Sequence, residues 1–486
     1  MNPDWPSVED LRSPRNWSRK WLLRGVVLLV IVALLVPTAV SAFTYEPTTL
    51  QRGTIESPAN GTTVISVQGF KIAGKYSKKK PARAVGVGPK GRVKWIYNGS
   101  KDGIRWFYDV DPVRNGSAVL FNGAGRVNGE SKTFVTVWDP STRETIWTRT
   151  FDWHDTHDVD LINGDQLLVA NMRNYNETTR RNNDRLLIYD LSKGKIVWEW
   201  LFRKHGYERS GGGDYTDDWT HVNDVDKLGP GRYLASPRNF DQVIVVDRST
   251  KNVTLQLGRD EAHSVMYEQH NPQYLLGEGG TPTILVADSG NDRVVEYAKT
   301  NGTWTRTWRL GSSRSLAWPR DADRLPNGNT LVTDTLNHRV IEVTPTGEVV
   351  WEFYAPWGTY DAERIRLGDE PGGPTIREQN ATGRYRITGS AGLTPGTGDS
   401  LTFSQWLTNA FAGTPIDDQV EWLATRWAHI TPWIRPVWMG PWDFVRTILA
   451  GLLAIGWLAG EGVYHRRLIW SRLQGVAGRV PPLRER

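Results

Sequence analysis

RLLIYDLSKGKIVWEW, residues 185–200, alternates apolar and polar side chains, breaks at Ser192, Lys193 and Gly194, and resumes as a strand ending in two tryptophans. That pattern is a hairpin of short β-strands. The turn and its Trp-bearing strand recur as PKGRVKWIY (89–97), PSTRETIWTRTF (140–151), RSTKNVTLQL (248–257), KTNGTWTRTWRL (299–310) and TPTGEVVWEF (344–353), with Trp missing from one copy. Two further alternating strands precede most copies, for example QLLVAN (166–171), RYLASP (232–237), QVIVVD (242–247), TILVAD (283–288) and NTLVTD (329–334). Several short strands in a unit of roughly 40–50 residues predict a β-propeller. Each blade buries its two faces only by stacking on its neighbours, with the Trp between them. Six outer-strand copies predict an all-β, six-bladed propeller, its first blade completed by strands from both ends of the domain.

The chain has 486 residues, a net charge of +6 and no Cys. Without Cys there is no disulfide framework, thiolate metal site or Cys nucleophile. The basic excess lies in two terminal tails, not on the body, so nucleic acid is not an expected partner. Residues 25–43 (GVVLLVIVALLVPTAVSAF) and 442–464 (WDFVRTILAGLLAIGWLAGEGVY) are long and apolar enough to cross a bilayer. Basic residues outside both segments predict cytoplasmic ends. The expected organisation is a cytoplasmic tail (1–24), a transmembrane helix (25–43), an extracytoplasmic propeller (44–354), an irregular and amphipathic membrane-proximal connector (355–441), a second transmembrane helix (442–464) and a basic cytoplasmic tail (465–486). Seven N-x-S/T sequons, at Asn60, Asn98, Asn115, Asn176, Asn252, Asn301 and Asn380, fall in the extracytoplasmic part and suit a glycoprotein.

A second motif recurs where each blade's innermost strand is expected to begin: WFYDVDPVRNG (106–116), HDTHDVDLINGD (154–165), THVNDVDKLGPG (220–231), QHNPQYL (269–275) and PRDADRLPNGN (319–329). Within a nearly constant Asp-x-Asp frame, one position varies: Tyr108, His157, Asn223, His270 and Arg320. Such starts converge at one mouth of a propeller, so the motif presents different polar groups to one point, as a binding site does. His221 lies two residues before Asn223 and faces the same way in an extended segment. Arg238 follows RYLASP, a strand expected to run away from the mouth, so Arg238 returns only through the turn that SPRNF permits. His154, His205, His263 and His338 fit structural hydrogen bonding.

These residues resemble the arylsulfate sulfotransferases, six-bladed propellers of bacteria and archaea. The resemblance covers roughly 90–354 and rests on HDVDLINGD, the Trp-x-His-x-Asn segment, the Arg in SPRNF, and QHNPQYL followed by VADSGNDR. The family order of a His-Asp loop, a Trp-x-His-x-Asn loop, an Arg and a Gln-His loop is similar to His157, His221, Arg238 and Gln269-His270 here. The resemblance implies that His270 attacks the sulfur of an aryl sulfate donor, becomes an N-sulfohistidine, and passes the sulfuryl group to a phenolic or glycan acceptor. It gives His157, His221 and Arg238 the sulfate oxygens, with Tyr108, Asn223, Gln269 and Arg320 as binding residues. No nucleotide cradle is present, and neither cofactor nor metal is expected. A homodimer is among the expected assemblies. The two membrane segments depart from soluble family members and direct the acceptor toward a lipid or surface glycan. Two rivals stand beside this: a pyrroloquinoline-quinone-type propeller, against which six copies argue, and a non-catalytic propeller that binds glycans or scaffolds a membrane complex.

Overall fold

A computed structural model describes residues 19–44, 50–69, 82–393, 402–436 and 438–466; most of both expected terminal tails lies outside these. Six sheets, each of four or five strands, follow one another along the chain. From inside to outside the second blade is Ile104–Val113, Ala118–Val127, Glu130–Asp139 and Glu144–Phe151. The third is Val159–Ile162, Gln166–Asn171, Arg185–Asp190 and Lys195–Leu201. The fourth is Val222–Gly229, Arg232–Pro237, Gln242–Asp247 and Val253–Gly258. The fifth is His270–Gly277, Thr281–Asp288, Arg293–Thr300 and Thr303–Leu310, and the sixth is Pro319–Arg324, Thr330–Asp334, Arg339–Val343 and Val349–Tyr354.

The first blade is made from both ends. Its strands Thr63–Val67, Arg83–Val87 and Val93–Asn98 take Thr359–Arg364, from after the sixth blade, as their innermost member. Every residue of that strand is buried. The propeller therefore runs past the boundary of 354 that the repeat suggested, because the closing strand has no Trp hairpin of its own. Gly383–Tyr385 also adds to the fifth blade, parallel to its outer strand.

All six turn-plus-strand copies are the fourth strand from the centre, with Gln51–Ile55 added outside the copy in the sixth blade and Gly383–Tyr385 outside that in the fifth. In three of them an indole donates to the next blade's hairpin: Trp200 Nε1 to Lys251 O (2.8 Å), Trp308 Nε1 to Pro345 O (2.9 Å) and Trp351 Nε1 to Pro89 O (3.0 Å). A buried indole needs such an acceptor, so each Trp fixes packing and register together. Two of these indoles carry a guanidinium from the next blade's inner strand. Arg324 lies 5.2 Å from the Trp308 ring and 3.2 Å from Glu296; Arg364 lies 4.7 Å from the Trp351 ring and 2.5 Å from Glu342.

Outside the sheets are four helices: α1 (Arg19–Thr44), α2 (Phe403–Phe411), α3 (Asp417–Ile434) and α4 (Pro441–Tyr464). α1 and α4 are long and apolar enough to cross a membrane. They form one unit and pack antiparallel: Arg24 makes a bidentate pair with Glu461 (2.6 and 2.7 Å), and Ser41 Oγ donates to Asp443 Oδ2 (2.7 Å). Glu461, near the end of α4, thus pairs its charge with Arg24 of α1. Within the propeller unit, α3 docks by His429 Nε2 on Asp292 Oδ1 (2.8 Å), by Glu421 on Ser313 (2.7 Å), and by Trp433 stacked on Trp106.

Candidate active site at the propeller mouth

The varying position of the inner-strand motif forms the mouth. Tyr108, His157, Asn223, His270 and Arg320 occupy it in the second to sixth blades. The closing strand supplies the sixth member, Tyr360, in the matching frame Tyr-Asp-Ala-Glu. In five blades the ladder between the two innermost strands shifts register at this place, between Phe107 and Val110, Val222 and Val225, His270 and Gln273, Pro319 and Asp321, and Ile65 and Val67. A bulge re-aims the side chain beside it, and here it does so around the ring. His221, Glu268 and Asn271 take positive φ values of 42°, 48° and 32°, a conformation that L-residues adopt at a cost and that clusters at functional sites.

The second strand of each blade brings another residue to the same mouth. Arg232–Pro237 runs antiparallel to Val222–Gly229 and arrives at the mouth, with Pro237 opposite Val222. Arg238 thus stands at the mouth without bending back, contrary to the direction expected from sequence. Gln68, Arg173 and Ser289 follow, by one or two residues, the corresponding strands in the first, third and fifth blades.

His270 is fully buried. Its Nδ1 lies 3.0 Å from the Glu268 carbonyl and 2.8 Å from Ser289 Oγ. A carbonyl only accepts, and the Ser289 hydroxyl proton is committed to Pro319 O (2.6 Å). Nδ1 therefore carries the ring proton and donates. Nε2 is left as a buried lone pair with no hydrogen-bond partner. Burial first, then Arg320, Arg238 and His221, hold the imidazole pKa well below its ordinary value. The result is a neutral, oriented and unshielded nitrogen nucleophile.

Around it stand groups for an anion. Asp218 accepts from His221 Nδ1 (2.8 and 2.9 Å) and leaves His221 Nε2 buried and unpartnered. Burial and Arg238 outweigh Asp218 and lower the His221 pKa to about 4. The His157 ring lies 4.8 Å from that of His221 and 4.0 Å from that of Tyr108, and its Nδ1 faces the Tyr360 hydroxyl at 3.2 Å. The Tyr360 ring lies 6.0 Å from that of His270 and 5.0 Å from the Arg320 guanidinium. Arg320 donates to Gln68 Oε1 and keeps Nε buried without an acceptor. Arg238 lies 3.7 Å from Asp218. Two guanidiniums and the imidazoles of three different blades stand close together at the mouth.

Residues 77–307 match the family model described as arylsulfotransferase (ASST). The chain carries an arylsulfotransferase family domain. The match includes His157, His221, Arg238 and His270. No curated protein sequence matches the chain. Among solved structures, a protein of unknown function from Bacteroides caccae is similar at 11% identity and TM-score 0.41, covering 63% of this chain and 98% of that one. A virginiamycin B lyase from Staphylococcus aureus is similar at 11% identity and TM-score 0.35, covering 63% and 88%.

Not every expected residue of the arylsulfotransferase domain faces the space around His270. Gln269 is tied to the fourth blade, donating from Nε2 to Gln242 O (2.6 Å) and Ser236 Oγ (3.1 Å). Asn223 Nδ2 donates to Gln269 O (2.8 Å), so this pair joins two blades. Tyr108 donates its hydroxyl to Asp155, which Arg173 approaches at 3.4 Å while also reaching Asp217 and Asp218. Arg173, Ser289 and Tyr360 are parts of the candidate site that were missed in the sequence. Their blade positions, equivalent to Arg238 and to the mouth motif, would have found them. His205, stacked on Trp200, and His338, which accepts from Gly358 N–H, serve structure.

Proposed function

We propose that the mouth transfers a sulfuryl group from an aryl sulfate ester to a phenolic or surface-exposed acceptor through His270. The family domain supports aryl sulfotransferase activity at the family level. The observation that carries the finer mechanism is the unpartnered Nε2 of His270, its tautomer set by Glu268 and Ser289. In the first half-reaction that lone pair attacks sulfur. The bond from sulfur to the aryl oxygen breaks, and phenoxide leaves with the bonding pair. In the second half-reaction the acceptor oxygen attacks sulfur, the N–S bond breaks, and its electron pair returns to Nε2. Arg320 and Arg238 offset the charge on the sulfate oxygens as it redistributes. His221 serves the proton: the bound anion offsets the guanidiniums that depress its basicity, so Nε2 takes up a proton with the donor and yields it to the leaving phenoxide. The same nitrogen then accepts the proton of the acceptor phenol.

Incubation with a chromogenic aryl sulfate, quenching, and peptide mass analysis test the intermediate. A sulfuryl adduct on the peptide holding His270, removed on adding a phenol, is expected. An active enzyme whose adduct forms on any other residue overturns the assignment. The pH profile checks the burial of His270 separately. Only the neutral imidazole attacks, and its pKa is lowered, so activity is present above that pKa and is lost as pH falls through it. With the donor, kcat/KM is expected to rise as pH falls past about 6.5, because the proton that His221 takes up comes from solvent, and to decline only at more acid pH, where His270 itself is protonated. A midpoint at or above the ordinary histidine value contradicts this picture.

Beyond the site, α1 and α4 are read as membrane-spanning, with both chain ends cytoplasmic and the propeller outside. Their antiparallel packing puts the first residues of α1 beside the last of α4, as that topology requires.

A further inference from the structure

Deeper along the inner strands lies a second chemistry that the transfer reaction does not use. Five of the six inner strands follow the mouth residue with two carboxylates, and only the fifth blade replaces them, with Asn271 and Gln273. Some of these carboxylates have a purely structural use. Asp158 accepts from the Val225 amide of the next blade, and Asp361 from that of Val110. Others have none. Carboxylate oxygens of Asp109, Asp111 and Asp160 lie within 4.8 Å of one another, and so do those of Asp160, Asp226 and Asp369. Asp109 and Asp226 are only 7% and 6% exposed, and the Oδ2 atom of each is buried with no hydrogen-bond partner. Among the described residues, none of the five pairs with a Lys or Arg. Buried carboxylates in such density repel one another, and an orphaned buried oxygen forfeits its hydration without return. A positive charge within the cluster removes both penalties.

We propose that Asp109, Asp111, Asp160, Asp226 and Asp369 bind a hard divalent cation of calcium's kind inside the propeller channel. The donor set is oxygen only and carboxylate throughout, with no imidazole or thiolate to favour zinc or copper. Five carboxylates arranged as two triads about a shared Asp160 suit the large, irregular coordination of Ca2+ better than the small octahedron of Mg2+. The ligands come from the second, third and fourth blades and from the segment after the closing strand. Four of them stand one to three residues from Tyr108, His157 and Asn223, so the ion fixes the frame beneath the mouth without touching the sulfuryl group. It stabilises the fold and takes no part in the transfer.

The test uses the full chain in detergent, stripped with a chelator. Adding Ca2+ at about 100 times its Kd is expected to raise Tm by about 5 °C. Tb3+ should bind in its place and show luminescence sensitised by nearby aromatic rings. Asp226→Asn and Asp160→Asn should abolish both responses. Their chelated forms should melt at or above the temperature of the chelated parent, since each removes one of several mutually repelling charges. That comparison separates a lost ion from a broken fold. A chelated parent that responds to neither Ca2+ nor Tb3+ overturns the proposal, as does an Asp226→Asn protein with the full response. Labelling of His270 by an aryl sulfate reports on neither ion, so either proposal can fail while the other stands.

Discussion

His270→Asn is expected to fold and bind an aryl sulfate, yet to lose turnover by a factor on the order of 10^4 or more. The expectation follows from what the side chain does. Nε2 is buried, unpartnered and held as a lone pair by two bonds on the far side of its ring. Asparagine is polar and of similar reach, but its amide nitrogen is no nucleophile, so the two-step route closes while the site around it remains. His157→Asn should cost less, because that ring orients and offsets charge and does not attack; a loss on the order of 10^2-fold is expected. Steady-state rates with a chromogenic aryl sulfate check both. A His270→Asn protein that keeps a tenth of parental turnover would sink the covalent mechanism, and a surface propeller that only binds would lose nothing that it binds.

Arg364→Met is expected to destabilise the propeller by about 3–5 kcal/mol. Arg364 is the last residue of the closing strand and is fully buried. It pairs with Glu342 of the sixth blade, donates to Thr63 of the first, and lies over Trp351. Methionine retains the packing but leaves Glu342, itself buried, facing an apolar neighbour. Asn327 and Asn329 still donate to the other oxygen of Glu342, which keeps the loss within that range. Chemical unfolding measures it, and the double variant Arg364→Met, Glu342→Gln should recover much of the loss because it removes the unpaired charge. A single variant within about 1 kcal/mol of the parent would mean that the clamp contributes little.

The blades were legible because their outer strands repeat a large, rare residue after a turn, and the indole that makes this signal visible is the one that bonds the next blade. Five of the six mouth positions were legible for a related reason: a constant acidic frame makes the varying residue stand out. Tyr360 was not, although Thr359–Arg364 carries the same frame. Its strand follows the last Trp hairpin and belongs to a blade that begins some three hundred residues earlier, so no local pattern marks it. Arg173 and Ser289 were hidden because strand ends share a place in space but no common residue type. Arg238 was singled out, but its route to the mouth became clear only from the pairing of Val222 with Pro237. The paired aspartates looked like scaffold. Only their distances and missing partners distinguish those that latch blades from those left over.

The innermost strand of the first blade is made almost last. A nascent chain that has produced the second to fifth sheets still leaves Thr63–Val67 with a bare backbone edge, open to any other strand it meets. It also lacks Tyr360 and, until the sixth sheet follows, Arg320. Ribosomes that stall or messages that end early within the fifth sheet would therefore release products that are sticky but chemically silent. The reactive imidazole acquires its full surroundings only when synthesis has passed Arg364.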